Sequence, residues 1–353
     1  MIQRNLIIGG AVVIVVVLAI GLFLWQKNGA ERVIRRIVIN NQKQATETAA
    51  ALQCTGRITT VLCGVGSPLA QEGAQSCTAV FVNGQFLLFD AGNNAMASMR
   101  ASNLPLDELD AVFITHYHND HYADLGDVME WSWINGRRHI LPVYGPTGII
   151  QIVDGFQSAY ELERSYRTAH HGDEAMPPEW SLSEPVEFPA PTDDHAIVVY
   201  EQDGVVVKAF RGNHEPVEPN VGYRIEYAGK VIVLSGDTLY TTALVKQSEN
   251  ADLLVCEVMN KEIVQVIADT NREIGNTAAA HLLVDIQDYH MDVADVGALA
   301  QEANVQRLAL NHLAPKPLTK NQAKRFCRDP VAELYSGEIL VGEDGMQIVI
   351  PVP

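Results

Sequence analysis

Six residues constrain this chain more than any other feature: His116-Tyr117-His118-Asn119-Asp120-His121, placed directly after the apolar run 111–115. A short apolar run led in by Leu109-Asp110 reads as a buried strand. Alternation along an extended backbone puts His116 and His118 on one side, and a tight turn brings Asp120 and His121 round to them. Imidazole suits zinc, and a carboxylate bridges ions or completes a shell. Three imidazoles and one carboxylate at this spacing predict a metal site on the turn that leaves a buried strand.

The flanking sequence supplies such strands. From Gly56 onward, short apolar runs are punctuated by turns. Strands are expected at 58–63, 77–82, 86–89, 111–115, 205–210, 221–227, 231–234, 253–256 and 308–310, with Asn83-Gly84 as a hairpin turn. Helical patterns lie at 125–134, 148–159, 263–268 and 293–303, the last with Asp292 as its N-cap. Residues 157–200 have no readable pattern. Within them 170–195, rich in Pro, Asp and Glu, reads as an irregular excursion of the lid or binding-loop kind. The class is therefore α/β. With 47% apolar and 19% charged residues the chain can bury a core, which excludes wholesale disorder. Five cysteines exclude a disulfide scaffold. Cys54, Cys63, Cys77 and Cys327 could form one or two bridges in an exported protein, and Cys256 reads as a buried core residue.

The His-x-His-x-Asp-His run resembles the signature of the metallo-β-lactamase-fold hydrolases. Further motifs stand in that family's order: His214 in Arg211-Gly212-Asn213-His214, Asp237 in Ser235-Gly236-Asp237-Thr238, and His312 in Leu310-Asn311-His312-Leu313. The resemblance covers roughly Gly56 to the C-terminus and implies an αββα sandwich. It also implies two zinc ions, with manganese or iron as alternatives. His116, His118 and His214 would hold one ion, Asp120, His121 and His312 the other, and Asp237 would bridge them. A hydroxide shared by the two cations would be the nucleophile. The bridging Asp237 points away from the true β-lactamase branches, towards ester, phosphodiester, sulfate ester or lactone hydrolysis.

Within the family, Gly64-Val65-Gly66-Ser67-Pro68, Leu88-Phe89-Asp90-Ala91-Gly92 and Val143-Tyr144-Gly145-Pro146 resemble the ribonuclease Z and arylsulfatase-type branch. There Asp90 would orient a ligand from behind, and His290 would protonate the leaving group, a task for which imidazole has the right proton affinity. Asp120 and His290 are thus the residues assigned to catalysis. Glu257 matches the acid that orients His290, although Cys256 stands where the family has a His. Arg224 could meet an anionic group, but a salt-bridged strand residue is the plainer reading. His139, His170, His171, His195 and His281 have no motif context and are expected not to be ligands.

Charge bears on the partner. The chain carries −18, and its first thirty residues hold Arg4 and Lys27 and no acid, so the remainder is more negative still. A polyanion such as tRNA meets a repulsive mean field. No Lys/Arg-rich run marks a basic patch, and the long basic arm with which ribonuclease Z clamps tRNA is not evident. The segments 216–224 and 342–345 resemble the arylsulfatase-type group. The expectation is a dinuclear zinc hydrolase of small sulfate or phosphate esters, arylsulfatase-like, with nucleic acid disfavoured as a partner and a homodimer compatible. A ribonuclease Z-like endonuclease or a lactonase is the alternative.

Leu6 to Trp25 is 20 residues without a charged side chain, which as a helix spans about 30 Å, the thickness of a bilayer core. The predicted organisation is a membrane anchor at 1–28, a connector at 29–55 and the hydrolase domain at 56–353. Val33, Ile34, Ile37 and Val38 at helical spacing, with Arg32, Arg35 and Arg36 between them, suit either an amphipathic stretch on acidic headgroups or a short packed helix. Positive-inside counting of Lys27, Arg32, Arg35, Arg36 and Lys43 would keep this flank cytoplasmic. Arylsulfatase-type relatives are often exported. The placement adopted is a single-pass inner-membrane protein with a periplasmic catalytic domain.

Overall fold

Strands covered on both faces read as near-continuous apolar runs, and that pattern builds this molecule. A computed structural model describes Trp25, residues 29–70 and residues 72–353. The chain divides into two compact units, Met1–Ala51 and Leu52–Pro353. In the first, residues 29–51 are helical and Val33, Ile34, Ile37 and Val38 are exposed.

The second unit holds two seven-stranded sheets. One contains β1 (Arg57–Gly64), β2 (Cys77–Val82), β3 (Gln85–Phe89), β4 (Leu109–Phe113), β5 (Leu141–Pro146) and β6 (Ser183–Phe188). The other contains β7 (Ile197–Gln202), β8 (Val205–Arg211), β9 (Val221–Tyr227), β10 (Lys230–Leu234), β11 (Leu253–Met259), β12 (Arg307–Ala314) and β13 (Glu338–Val341). The last strand, β14 (Met346–Pro351), returns to the first sheet and pairs antiparallel with β1.

Alternation sorts each strand's side chains between two cores. Ile58 and Leu62 of β1, Val80 and Val82 of β2, and Leu87 and Phe89 of β3 point between the sheets, where they meet Val207, Tyr223, Ile225 and Ile232. Val61, Phe81, Phe86 and Leu88 point the other way, under the helices Ala95–Ala101, Leu125–Asn135 and Ile149–Ala159. Leu244, Leu299 and Val331, from helices Thr242–Ser248, Val293–Glu302 and Asp329–Ala332, cover the second sheet. The result is the expected αββα sandwich. The Asn83-Gly84 turn has φ of 50° and 78°, the left-handed conformation that a two-residue hairpin needs. Asp292 caps Val293–Glu302 in a reciprocal box with Asp295. Cys63 and Cys77 are disulfide-linked across β1 and β2, while Cys54, Cys256 and Cys327 are free.

Two expectations are corrected. Residues 170–195, expected as an irregular excursion, include the end of the helix Glu161–His171 and the strand β6, and the patternless stretch 157–200 holds that whole helix and β7 as well. That helix buries only Arg164, whose Nη1 donates to Glu130 Oε1 at 2.7 Å, so it has no apolar stripe to read. The second correction concerns the membrane. The apolar segment 6–25 lies outside the described residues apart from Trp25. Among the described residues no helix is long and apolar enough to cross a membrane. The expected transmembrane helix, and with it the inner-membrane placement and the periplasmic domain, therefore finds no support among the described residues.

Candidate metal centre

Strands β3 and β4 run parallel, as do β8, β10, β11 and β12. Their carboxyl ends meet at one edge of the sandwich, where open α/β sheets place their sites. Asp90 follows β3, His116 follows β4, His214 follows β8, Asp237 follows β10, Glu257 lies in β11 and His312 in β12. His118 leads into a single helical turn, Asn119–Tyr122, that carries Asp120 and His121. All seven expected ligands converge. His116, His118, His214 and Asp237 form one group, and Asp120, His121, Asp237 and His312 another, with Asp237 in both.

In the first group His116 Nε2 and His214 Nε2 each lie 3.2 Å from His118 Nδ1. A tetrahedral ion with metal–nitrogen bonds near 2.05 Å needs nitrogens about 3.3 Å apart, so the spacing fits. The rings are held from behind. His214 Nδ1 is 2.9 Å from the Tyr289 carbonyl, and His116 Nδ1 is 3.1 Å from Thr115 Oγ1. Donation there leaves the inward nitrogens as bare lone pairs. Burial lowers the proton affinity of His116 far below the ordinary range, lowers that of His118, and brings His214 to about 4. Three neutral imidazoles facing one point are ready for a cation.

The second group is acidic. His121 Nε2 is 3.2 Å and His312 Nε2 3.3 Å from Asp237 Oδ2, and His312 Nε2 is 3.0 Å from Asp120 Oδ2. Burial opposes a charge on His121, but Asp237, Asp90 and Asp120 outweigh it and raise its proton affinity well above normal. Burial would raise both carboxyls. His312 and His121 hold Asp237 far below its usual value, and His121 and His312 lower Asp120. Such a pocket asks for positive charge. Asp237 Oδ1 is buried with no hydrogen-bond partner, a cost that a bound ion would remove. The donor set fits two divalent cations.

The backbone is strained where it serves this centre. Asp90 has φ of 58° and His312 of 43°, conformations that non-glycine residues adopt under constraint. Asp90 Oδ2 lies 2.7 Å from His121 Nδ1, and Asp90 Oδ1 accepts from the Thr115 amide at 2.9 Å. Gly92 is required as glycine: a Cβ there would stand 2.0 Å from the Asp120 carbonyl oxygen. Gly92→Ala must push the Asp120 peptide aside, and we expect zinc affinity to fall roughly 10- to 100-fold, measured by chelator competition on the folded chain.

His290 Nδ1 lies 2.7 Å from Glu257 Oε2, and Glu257 Oε1 accepts from the Thr238 amide at 2.6 Å. Cys256 in place of the family's His does not break this pair. The His290 ring sits 4.9 Å from that of His214 and 5.4 Å from that of His312. Burial disfavours a charge on His290, but Glu257 outweighs it and brings its value to about 9. Arg224 pairs with Glu226 at 2.6 Å and is a salt-bridged strand residue. None of His139, His170, His171, His195 and His281 belongs to a ligand group among the described residues. Sequence reasoning missed Thr115 and Tyr289. Their only signal is adjacency, each directly preceding a functional histidine.

The centre opens into a cavity of about 170 Å³ lined by Ser67, Leu69, Asn119, Leu282, Tyr289 and His290 among others.

A family model described as a beta-lactamase superfamily domain matches residues 86–313. Ribonuclease Z of Mycolicibacterium paratuberculosis is 32% identical over 300 residues, 84% of this chain and 99% of that protein. Ribonuclease Z of Mycobacterium bovis is 33% identical over 287 residues, 80% of this chain and 95% of its own. The crystal structure of human tRNase Z, short form, superposes with a TM-score of 0.58 at 20% identity, covering 84% of this chain and 99% of its own. YhfI from Bacillus subtilis gives 0.58 at 21% identity, covering 83% and 100%. These relatives overturn the arylsulfatase-like reading and the disfavouring of nucleic acid as a partner. The physical error is identifiable: net charge sums the whole surface and does not report the field at one groove.

Proposed function

The chain belongs to the beta-lactamase superfamily, in its ribonuclease Z branch, and from that premise we propose that it cleaves RNA phosphodiester bonds, with precursor tRNA as its substrate class. It is a metal-dependent hydrolase of ester bonds. The observation that carries the RNA reading is a complete ligand set with a His290–Glu257 pair beside it, in a chain matched along nearly the whole length of ribonuclease Z proteins.

His116, His118 and His214 would hold one ion, and Asp120, His121 and His312 the other, with Asp237 between them. The imidazole-rich donor set suits zinc, and manganese or iron would meet the same groups. When bound, the two cations lower the pKa of a water and neutralise charge on the phosphate. The chain's own residues do the rest. Asp90 and Thr115 fix the His121 and His116 rings from behind. Glu257 holds His290 through Nδ1 and keeps it protonated. His290 Nε2 has no partner among the described residues and faces the task of giving its proton to the departing oxygen.

The test is direct. The full chain loaded with zinc should cut a precursor tRNA at a discrete position, lose that activity to a chelator, and leave p-nitrophenyl sulfate intact. Turnover of another ester with no RNA cleavage would reject the reading.

A further inference from the structure

Protonation of a leaving group restricts where the rest of the substrate can lie. His290 lines the metal cavity, and an acid must come within hydrogen-bond reach of the oxygen it protonates. The organic body which that oxygen carries away must therefore lie in the same cavity, beside His290. The surface there is apolar. Leu282, Ile286 and Tyr289 line the cavity together with His290. All four belong to one continuous segment: the helix Thr277–Asp285, the 3₁₀ turn Ile286–Asp288 and the two residues after it. Steps of four and then three residues, from Leu282 to Ile286 to Tyr289, keep side chains on one helical face. Exposure falls along that stripe. Leu282 is 56% exposed, Ile286 and Tyr289 are half-buried, and His290 is buried. The stripe thus leads from solvent to the acid.

The stripe is firmly mounted. Leu283, the neighbour of Leu282, packs into a small core with Met259, Val264, Ala268 and Ala314, and Ile286 rests against that core. The Tyr289 ring stands edge-on to the His214 ring, with centroids 4.7 Å apart and planes at 89°. Its carbonyl lies 2.9 Å from His214 Nδ1, so the metal centre itself fixes the place of this residue. A single exposed leucine needs no account. Leu282 is different because it continues a row of apolar side chains that ends at the proton donor.

In RNA the body on the departing oxygen is a nucleoside, and its apolar surface is the face of its base. Proteins hold unpaired bases by such faces, with little preference among the four. Resting on the RNA reading above, we propose that Leu282, Ile286 and Tyr289 form the subsite for the base of the departing nucleoside and are specificity residues of the reaction. The phosphate goes to the cations, His290 meets the departing oxygen, and the base lies along the stripe. The subsite contributes binding and moves no proton. An interaction made equally in ground and transition states sets KM and leaves kcat alone. That is the opposite of what a proton donor does, so the stripe and His290 can be told apart although they share one segment.

The experiment uses the full chain loaded with zinc and two precursor tRNAs. Mapping the cut, and the product that keeps the phosphate, identifies the departing nucleoside in the first RNA. The second RNA carries an abasic ribose at that one position. With the parent chain, KM for the abasic RNA should rise about 5- to 100-fold, the scale of one stacked base, while kcat stays within about threefold. Leu282→Ala combined with Ile286→Ala should raise KM on the intact RNA about tenfold and add far less on the abasic RNA, where the partner of the stripe is already gone. Leu282→Ala alone, at an exposed position that the fold does not need, should show the same split at about threefold. Equal KM for the two RNAs with the parent chain would overturn the subsite. So would variants that lose as much on the abasic RNA as on the intact one, or that lose only kcat. Each of these results leaves the ribonuclease reading standing. A parent that cuts neither RNA removes that reading and the subsite with it.

Discussion

Asp237→Ala is expected to lose metal and activity together. Asp237 Oδ2 reaches both ligand groups, 3.2 Å from His121 Nε2, 3.3 Å from His312 Nε2 and 3.9 Å from His116 Nε2. No other side chain belongs to both, so its removal weakens both cation sites at once. Metal content should fall from about two ions per chain to one or fewer, and turnover by on the order of a thousandfold, the scale on which a central charge stabiliser acts. The fold should survive. Asp237 is buried, its Oδ1 is unpartnered, and Asp90 and Asp120 remain beside His121. The Asn220 amide donates to the Asp237 backbone carbonyl at 2.7 Å, a contact that alanine keeps. Metal analysis and a thermal melt on the same sample separate the two effects. A folded Asp237→Ala chain with full metal and full turnover would end the dinuclear reading. Asp237→Asn tests the charge itself: it keeps the size and one oxygen, and is expected to bind metal better than alanine and worse than the parent.

The sequence made some of this legible and hid the rest for physical reasons. β2 and β9 are predicted with the bounds the structure gives, because both are apolar runs with buried side chains and are flanked by turns. β4 is predicted to run to Thr115 but leaves the sheet after Phe113. The Ile114 amide still donates to the Tyr144 carbonyl of β5, but the Thr115 amide is taken by Asp90 rather than by a neighbouring strand. That departure aims His116 inward, and a hydrophobicity pattern contains no trace of it. The ligands are legible because their chemistry is local to motifs. Their supports are not, since Tyr289 offers a backbone carbonyl and Thr115 one hydroxyl, groups that many residues possess. The helix Glu161–His171 escapes notice because its one buried side chain is an arginine.

Charge misled the sequence reading in an instructive way. A mean field of −18 argues against a polyanionic partner only if charge is spread evenly. Among the described residues of the second unit many cations are neutralised by acids within 4 Å, as Lys208, Lys230 and Lys246 are. What decides recognition is which charges remain free and what surface they border. Ion pairing therefore has to be counted before net charge is used to exclude a partner, and that requires the fold.

His290→Ala is expected to lower kcat on an RNA substrate by roughly 10²- to 10⁴-fold, the range for general acid catalysis, with metal content unchanged. His290 is absent from the groups that contain His116 and His121, although it forms a third with Asp237, Glu257 and His312, and its Nδ1 is committed to Glu257 at 2.7 Å. A proton donor matters in proportion to the basicity of the group that departs. The same variant should lose far less on bis-p-nitrophenyl phosphate, whose phenolate leaves without help. Glu257→Gln should act in the same direction but more weakly, about 10- to 100-fold, as expected for a residue that orients another. It should also shift the alkaline limb of the kcat profile. Glu257 holds the His290 proton affinity up, at about 9 against the burial that opposes it. Without that carboxylate the acid form is lost at lower pH, so the limb moves down. Equal losses on both substrates, or metal lost from His290→Ala, would assign His290 to holding the centre instead. An unmoved limb in Glu257→Gln would show that the pair orients the ring without tuning its proton.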